Sequence, residues 1–469
     1  MKKFLCLLMM ACAVSFCLPV GATSQITGGT VAGTVRNQTG APVAGAKIVA
    51  THQGTNQSRS VTTDEAGAYR LPGLAVGEYE VTVEAERFAR VVRRLSLRIN
   101  EDSRLDFELA VAGTEEQVQV VGSTAPLTET QNSVLGIIIE NKQILELPLN
   151  GRNFLQLGTL VANVNSTATL SGGSEGGLLN GPFAVAGQRD RSLTFLVDGV
   201  DNNNALSNSL SAQVSLDAIQ EFKLVTNLGS AEHGFHSGGM VNILTRSGSN
   251  EFHLTAFDFF RNNKLDAANH FEKLTGRDAS KFNNNQFGVT AGGRIIKDKT
   301  FYLASYEGQR LRVGQPQFSN VPTLDQRNGI FFSPLAGRNV QLPVDPVAAA
   351  ILDRYVPLPN VESEFGNYLG VPTIKGRNDF AMGRVDHLLT GDDVINARYF
   401  LSDNDSFNPI IFNVILFPSV PPSIPGFGLN QSSLTHNLAV NYIHNFSAQT
   451  INELRFGYNH HRTDLDPEN

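Results

Sequence analysis

The sequence has no tryptophan and only three cysteines among 469 residues. Cys6, Cys12 and Cys17 all fall within the first twenty positions. Lys2 and Lys3, the apolar run Phe4 to Val20 and the small residues Val20-Gly21-Ala22 form the three zones of an export signal. Met9-Met10-Ala11 before Cys12 fits a lipoprotein site poorly. Cleavage after the signal leaves a mature chain without a thiol. Disulfides, thiolate metal sites and a cysteine nucleophile are thereby excluded. Long apolar runs are missing too. Beyond residue 20 nothing approaches the ~18 unbroken apolar residues of a membrane helix. A chain that enters lipid without such helices must pair its backbone polar groups between strands, as a closed barrel does. Positive charge is also scarce: 37 Lys and Arg against 44 Asp and Glu give a net charge of −7. That balance disfavours a nucleic-acid partner.

What is present is β pattern. In Gly77 to Ala85, Tyr79, Val81, Val83 and Ala85 alternate with Glu78, Glu80, Thr82 and Glu84. This is a half-buried antiparallel strand. Leu95, Leu97 and Ile99, then Leu105, Phe107 and Leu109, alternate the same way. Turn residues separate the runs at Asn37-Gln38-Thr39-Gly40, Asp64-Glu65-Ala66-Gly67 and Pro72-Gly73. Seven short strands in this stretch predict a small β-sandwich over 26–111. The segments Gly33-Thr34-Val35, Gly40 to Ala46, Thr63 to Tyr69 and Leu74 to Tyr79 resemble the carboxypeptidase regulatory-like domain. The resemblance implies a fold akin to carbohydrate-binding modules. Arg87-Phe88 departs from the family, which has Gly-Phe there. None of the ten histidines has Glu three positions on, so the zinc pair of a metallocarboxypeptidase is absent. The module is accessory.

A polar stretch follows at 112–133. Glu115, Glu116, Gln117, Val118, Gln119, Val120 and Val121 form a short β-prone strip. It reads as a linker, or as an extended segment that adds a strand to a partner by main-chain bonds.

Residues 134–248 predict a compact α+β unit. Ile144 to Phe154 contains Asn150, Gly151, Arg152 and Asn153; Phe154, Leu157 and Val161 then keep helix-face spacing. Gly172-Gly173-Ser174-Glu175-Gly176 matches a hydrolase elbow formally, yet no buried strand precedes it. Gln188 and Arg189 precede Phe195 to Asn202, where a buried strand runs into a turn at Asp198, Gly199, Asp201 and Asn202. A calcium loop would need a later Glu that is missing. His233 and His236 stand three apart, beside a Gly-rich bend. Two β segments, Ile219 to Val225 and Met240 to Leu244, flank that bend. Ser237, Gly238, Gly239, Asn242, Thr245, Arg246, Ser247 and Gly248 mark where this unit hands over to a larger sheet.

From 249 the alternation becomes that of a transmembrane barrel, about ten residues per segment. Phe252, Leu254 and Ala256; Phe287, Val289 and Ala291; Ile395, Ala397, Tyr399 and Leu401; Leu438, Val440 and Tyr442; and Leu454, Phe456 and Tyr458 mark the apolar faces. Arg398 and Arg455 are predicted to point inward. Phe257, Phe259, Phe260, Tyr302 and Tyr306 are predicted as interfacial aromatics. Val313 to Arg377 and Pro418 to Gly428 read as outer loops, and Thr300 to Leu311 and Asp379 to Leu388 as strands of undecided facing.

Leu147 to Phe154, Phe195 to Asn202 and Ser237 to Asn250 resemble the plug and plug–barrel junction of TonB-dependent outer-membrane receptors of the Oar-like branch. The resemblance implies a mainly β protein: a sandwich, an α+β plug and an antiparallel barrel. It implies a TonB box in the Glu115–Val121 strip, a TonB-type energy-transducing partner, outer-membrane lipid around the barrel and periplasmic N-terminal domains. An oligosaccharide, a peptide or a metal chelate would be taken up without a chemical step and without a cofactor. About seven barrel strands are countable against about 22 in plugged transporters, so the chain reads as an N-terminal portion. The alternative is a surface adhesion protein that binds carbohydrate through the sandwich and transports nothing.

Overall fold

The computed structural model describes residues 28–111, 119–122, 136–166, 183–189, 192–205, 208–226, 237–268, 270–274, 278–314, 316–409, 428–447 and 450–468. The predicted elbow at 172–176 and the His233/His236 pair lie outside these residues.

The N-terminal strands are β1 (Gly29–Asn37), β2 (Lys47–His52), β3 (Ser58–Thr62), β4 (Ala68–Leu74), β5 (Gly77–Glu84), β6 (Val91–Leu97), β7 (Asp102–Arg104) and β8 (Phe107–Leu109). Two sheets result, with β4, β7 and β8 on β1, and β3-β2-β5-β6. β7 and β8 pair with successive stretches of β1 and act as two halves of one strand. The alternating apolar residues meet between the sheets, where Val31, Ile48, Val81, Val83, Leu95 and Leu109 are buried. Arg87 has φ +69°, a left-handed conformation that glycine adopts at no steric cost. The departure from Gly-Phe therefore keeps the turn, at a strain of order 1 kcal/mol. A further strand, β9 (Gln119–Gly122), runs parallel to β6 at the sheet edge.

The central unit contains β10 (Gly136–Glu140), β11 (Val164–Ser166), β12 (Phe183–Val185), β13 (Thr194–Val197), β14 (Val200–Asp201), β15 (Ile219–Val225) and β16 (Met240–Thr245). Five of them form one sheet in the order β10-β15-β16-β13-β14. The two segments flanking the Gly-rich bend are the antiparallel pair β15 and β16. A short α-helix, Asn141–Glu146, starts at a capping box between Glu140 and Gln143. The helix expected after Asn153 is 3-10, Phe154–Leu160, with Asn153 Oδ1 accepting from Leu155 N. Gly158 lies against the Phe183 ring there, and a Cβ would be a tight fit at 3.1 Å. Phe154 and Phe222 meet edge-on at 5.6 Å in the core. Leu303, Met382 and Phe400 of the third unit join that core.

The third unit is an antiparallel sheet of seven strands in sequence order: β17 (His253–Asn262), β18 (Phe282–Ile296), β19 (Thr300–Gly314), then β24, β25, β26 and β27. The excursion 315–372 carries β20 (Gln317–Ser319), β21 (Ile330–Ser333), β22 (Arg338–Gln341) and β23 (Tyr368–Gly370), with helices Leu324–Arg327 and Pro346–Tyr355. The sheet resumes with β24 (Thr373–Leu388), β25 (Asp393–Asn408), β26 (Leu429–Asn445) and β27 (Ile451–Pro467). The expected outer loop is thus shorter than Val313 to Arg377 and has its own structure. Short turns at 297–299, 389–392 and 446–450 lie at one end, and the long connections at the other. Among the described residues β17 and β27 do not pair, so the sheet is open.

Its inner face wraps the central unit. Its outer face carries Leu254, Val289, Ile395, Tyr399, Leu438, Leu454 and Phe456, as the alternation predicted, and also Tyr302 and Val385, on strands whose facing the sequence left undecided. Phe257 and Phe259 are a correction. They sit opposite Gly288 and Gln286, on the inner face, beneath the guanidinium of Arg152 at 4.0 and 5.2 Å. That stacking competes with lipid for the aromatic surface and wins.

The sandwich docks on the central unit through one buried carboxyl. Ile99 N–H donates to Glu221, and Arg98 reaches Glu140 at 2.6 Å. Burial pushes the Glu221 carboxyl up to about 7, against the pull of the Ile99 N–H and Arg98. The docked state therefore keeps a proton that an exposed Glu221 releases near 4.5. Docking is strongest below that value and weakens as pH rises from about 4.5 to 7, by up to about 3 kcal/mol. Hydrogen exchange at Ile99, corrected for intrinsic rate, is expected to accelerate between pH 5 and 8. Glu221→Gln is expected to flatten that profile.

Candidate functional site

The best-built polar site is the seam between the central unit and the inner face of the seven-stranded sheet. Its centre is the tight turn between β13 and β14. Asp198 and Gly199 both have positive φ, +50° and +74°, as a two-residue hairpin turn of type I′ requires. The turn pushes the Asp198 carboxylate into the protein, where it is 4% exposed. One oxygen accepts from Thr245 N at 2.9 Å and the other from Thr245 Oγ1 at 2.9 Å. From the sheet, Arg398 Nε comes to 2.6 Å and Arg384 Nη1 to 3.4 Å. The Arg398 Nε–H points off the line of a directed bond, so that contact is an ion pair. Arg398 Nη2 also donates to Val197 O and, at 2.8 Å, to Asn437 Oδ1. Arg384 is shared with Asp386 and with Thr245 O.

Gly199 fits beneath β27 because it has no side chain. A Cβ there would lie 2.1 Å from Arg455 Nη1, which donates to Gly199 O. Asn437 donates to Asp201 O, Asn459 to Asn203 O and Thr435 to Ser211 O. Arg398 and Arg455 both face inward, as the alternation predicted. Asn202 is fully buried and bridges to Ala212 within the central unit.

A second ionic centre lies on the opposite flank. Arg152, at φ +53°, pairs with Asp217 and approaches Glu307 at 3.6 Å. Ser215 Oγ donates to Glu307 at 2.7 Å. Gly151 O accepts from Gln286 of β18. Asn150 occupies the same turn, and Asn153 only caps the following helix. Gln188 and Arg189 are exposed and stand apart from the seam.

At the junction, Gly238 N donates to Ser192 O. A Cβ on Gly238 would meet Ser192 O at 2.5 Å, and one on Gly239 would meet Val225 O at 2.6 Å. Asn242 is buried in β16, Ser237 is exposed, and Ser247 Oγ donates to Gly248 O. Arg246 Nη1 donates to Asp217 O, and Gly248 packs against Tyr302 O. Of the strip 115–121, Gln119, Val120 and Val121 belong to β9; Glu115, Glu116, Gln117 and Val118 lie outside the described residues. Below the Asp198 turn a cavity of about 650 Å³ separates the sandwich from the short-turn end of the sheet, with His52, Arg59, Asp386 and Asn445 on its walls.

Sequence reasoning missed Asp217, Glu307, Arg384 and Asn437. Arg384 and Asp386 had a usable signal: they alternate with Gly383 and Val385 on β24.

Residues 244–469 match the outer membrane beta barrel domain family, and residues 30–110 match the carboxypeptidase regulatory-like domain. Over 315 residues the chain is 27% identical to the TonB-dependent transporter Oar of Myxococcus xanthus, covering 65% of this chain. Residues 244–469 thus carry an outer membrane beta barrel domain, and the chain is similar to a TonB-dependent transporter of the Oar type. It spans 29% of the length of that relative. Among solved structures, the outer-membrane transporter YddB of Escherichia coli aligns at a TM-score of 0.46 and 12% identity, covering 66% of this chain and 37% of its own. The siderophore receptor PirA of Pseudomonas aeruginosa aligns at 0.41 and 12%, covering 71% and 41%. The seven-stranded sheet lies within the residues that match the outer membrane beta barrel domain.

Removing one partner of a buried ion pair strands the other charge, at about 3–5 kcal/mol. Asp198→Ala is expected to cost this much in urea unfolding of the detergent-solubilised chain, because two arginines lose their counter-charge. In a double-mutant cycle with Arg398→Met, the coupling is expected to exceed about 1 kcal/mol. Additive effects would show that the turn alone, and not the pair, holds the seam.

Proposed function

We propose that this chain belongs to an energy-coupled receptor in which residues 134–248 act as a plug inside the barrel. The observation that carries the reading is the polar seam around Asp198. Three arginines and several amides of the barrel wall bind the turn of the central unit, with few apolar contacts there. A seam made of ion pairs and amide bonds can exchange its partners for water when the two parts move. An apolar interface of the same extent would hold them together permanently. Ligand would bind at the long-loop end, and the large or scarce molecules suited to such uptake are oligosaccharides, peptides and metal chelates. No chemical step is required of the protein.

The Glu115–Val121 strip would be the contact for a TonB-type protein. Its second half already takes strand conformation on a sheet edge, the form that β-augmentation uses. Transfer to the partner would release it from β6. The sequence has no cysteine after Cys17, so single thiols can be placed cleanly in the domains that follow. A thiol at Val120 is expected to form a disulfide with one in the periplasmic domain of a TonB-type protein. A thiol at Thr55, on the sandwich, is expected to form none. Equal trapping at both positions, or none at Val120, would remove the strip from this role.

A further inference from the structure

The outer face of the barrel sheet changes character towards its long-loop end. Cross-strand register orders its residues into rows. Val289, Tyr306, Ala381 and Leu401 make one row, and four such rows down to Ile395 and Leu454 are mainly apolar. At about 3.3 Å per residue they span about 20 Å along the strands, close to the roughly 25 Å apolar band of outer-membrane barrels. Three further rows follow, the first running Phe287, Gly308, Asp379 and Asp403. The second holds Arg310 and Arg377, neutralised by carboxylates: Arg377 reaches Asp379, Asp403 and Asp405 at 2.7–2.9 Å, and Arg310 grips Asp379 with one nitrogen on both oxygens.

The third row has no carboxylate beside its cations. Arg312 of β19 stands directly opposite Lys375 of β24 on the same face. Their row continues to Asn283 on one side and to Phe407 and Asn430 on the other, all without charge, and reaches a carboxylate, Asp466, only on the third strand beyond Lys375. Among the described residues neither cation has a carboxylate within ion-pair distance. Lys375 Nζ lies 5.7 Å over the Phe407 ring instead. Like charges facing each other across a ladder repel, which favours an anion between them. A depression of about 660 Å³ opens on this spot.

We propose that Arg312 and Lys375 bind the phosphate of an anionic lipid headgroup in the outer leaflet. Arg312 supplies the forked donor pair that suits phosphate oxygens, and Lys375 a point charge. The Asn283 and Asn430 amides flank the pair. The acyl chains of the same lipid run down the apolar rows past Phe287, Val289 and Leu401. Position selects a lipid over a soluble anion: the site lies above the lipid-facing rows, about 20 Å along the tilted strands from the Val289 row, on the face turned away from the plug.

The test uses the whole chain in neutral detergent, with native mass spectrometry reading bound dioctanoyl phosphatidylglycerol. One molecule is expected to stay bound at concentrations where dioctanoyl phosphatidylcholine does not. Arg312→Gln with Lys375→Gln is expected to weaken retention at least tenfold. Arg462→Gln, which removes a cation already paired with Asp464 on the same face, is expected to change it less than twofold. Heat-modifiable gel mobility checks that each variant keeps its folded sheet; should the double variant unfold, Lys375→Gln alone serves as the readout. Equal retention of both lipids, displacement by millimolar inorganic phosphate, or an unchanged double variant each overturn the proposal.

Discussion

One carboxylate ties two folding units together. Asp198 belongs to a hairpin of the central unit, yet its charge is balanced by Arg384 and Arg398, which belong to the wall. Without the wall, a 4% exposed carboxylate would keep only its two bonds to Thr245. Without the turn, two inward arginines would lie buried with a charge deficit. Each unit is electrostatically incomplete alone. The left-handed backbone at Asp198 and the bare Gly199 bring the turn close enough for that exchange.

The molecule divides its stabilising forces by location. The sandwich and the central unit each hold a dry core of buried aliphatic side chains. The seam between the central unit and the wall is mostly amide and ion, and its apolar part narrows to Leu303, Met382 and Phe400. Apolar burial resists separation in proportion to area, at about 25 cal/mol per Å². Hydrogen-bonded seams are nearly balanced by what water offers in return. The units are therefore held by aliphatic burial inside and mainly by ions and amides between them.

Much of this was legible in the alternation of residues. Period-two patterns fixed both faces of β18, β25, β26 and β27, and with them the inward aim of Arg398 and Arg455. Asp198-Gly199 was readable as a turn because few dipeptides tolerate positive φ. The run Phe257-Asp258-Phe259-Phe260 misled because aromatics occupy both parities, and only the arrival of Arg152 decides which face is inner. The ionic partners were invisible for a different reason. Asp198 and Arg384 are far apart along the chain, and no local pattern encodes a pair set by tertiary approach. Arg87 shows the converse: a glycine position of the family keeps its backbone shape under another residue.

The parallel pairing of β9 with β6 has a mechanical side. Its four residues hold the sandwich edge through evenly spaced, slanted bonds. Traction along the strand loads all of those bonds together, whereas a sideways tug breaks them one after another. Four residues paired in this way resist a pull along the strand more than one across it. Which of the two the segment feels depends on the angle from which it is drawn.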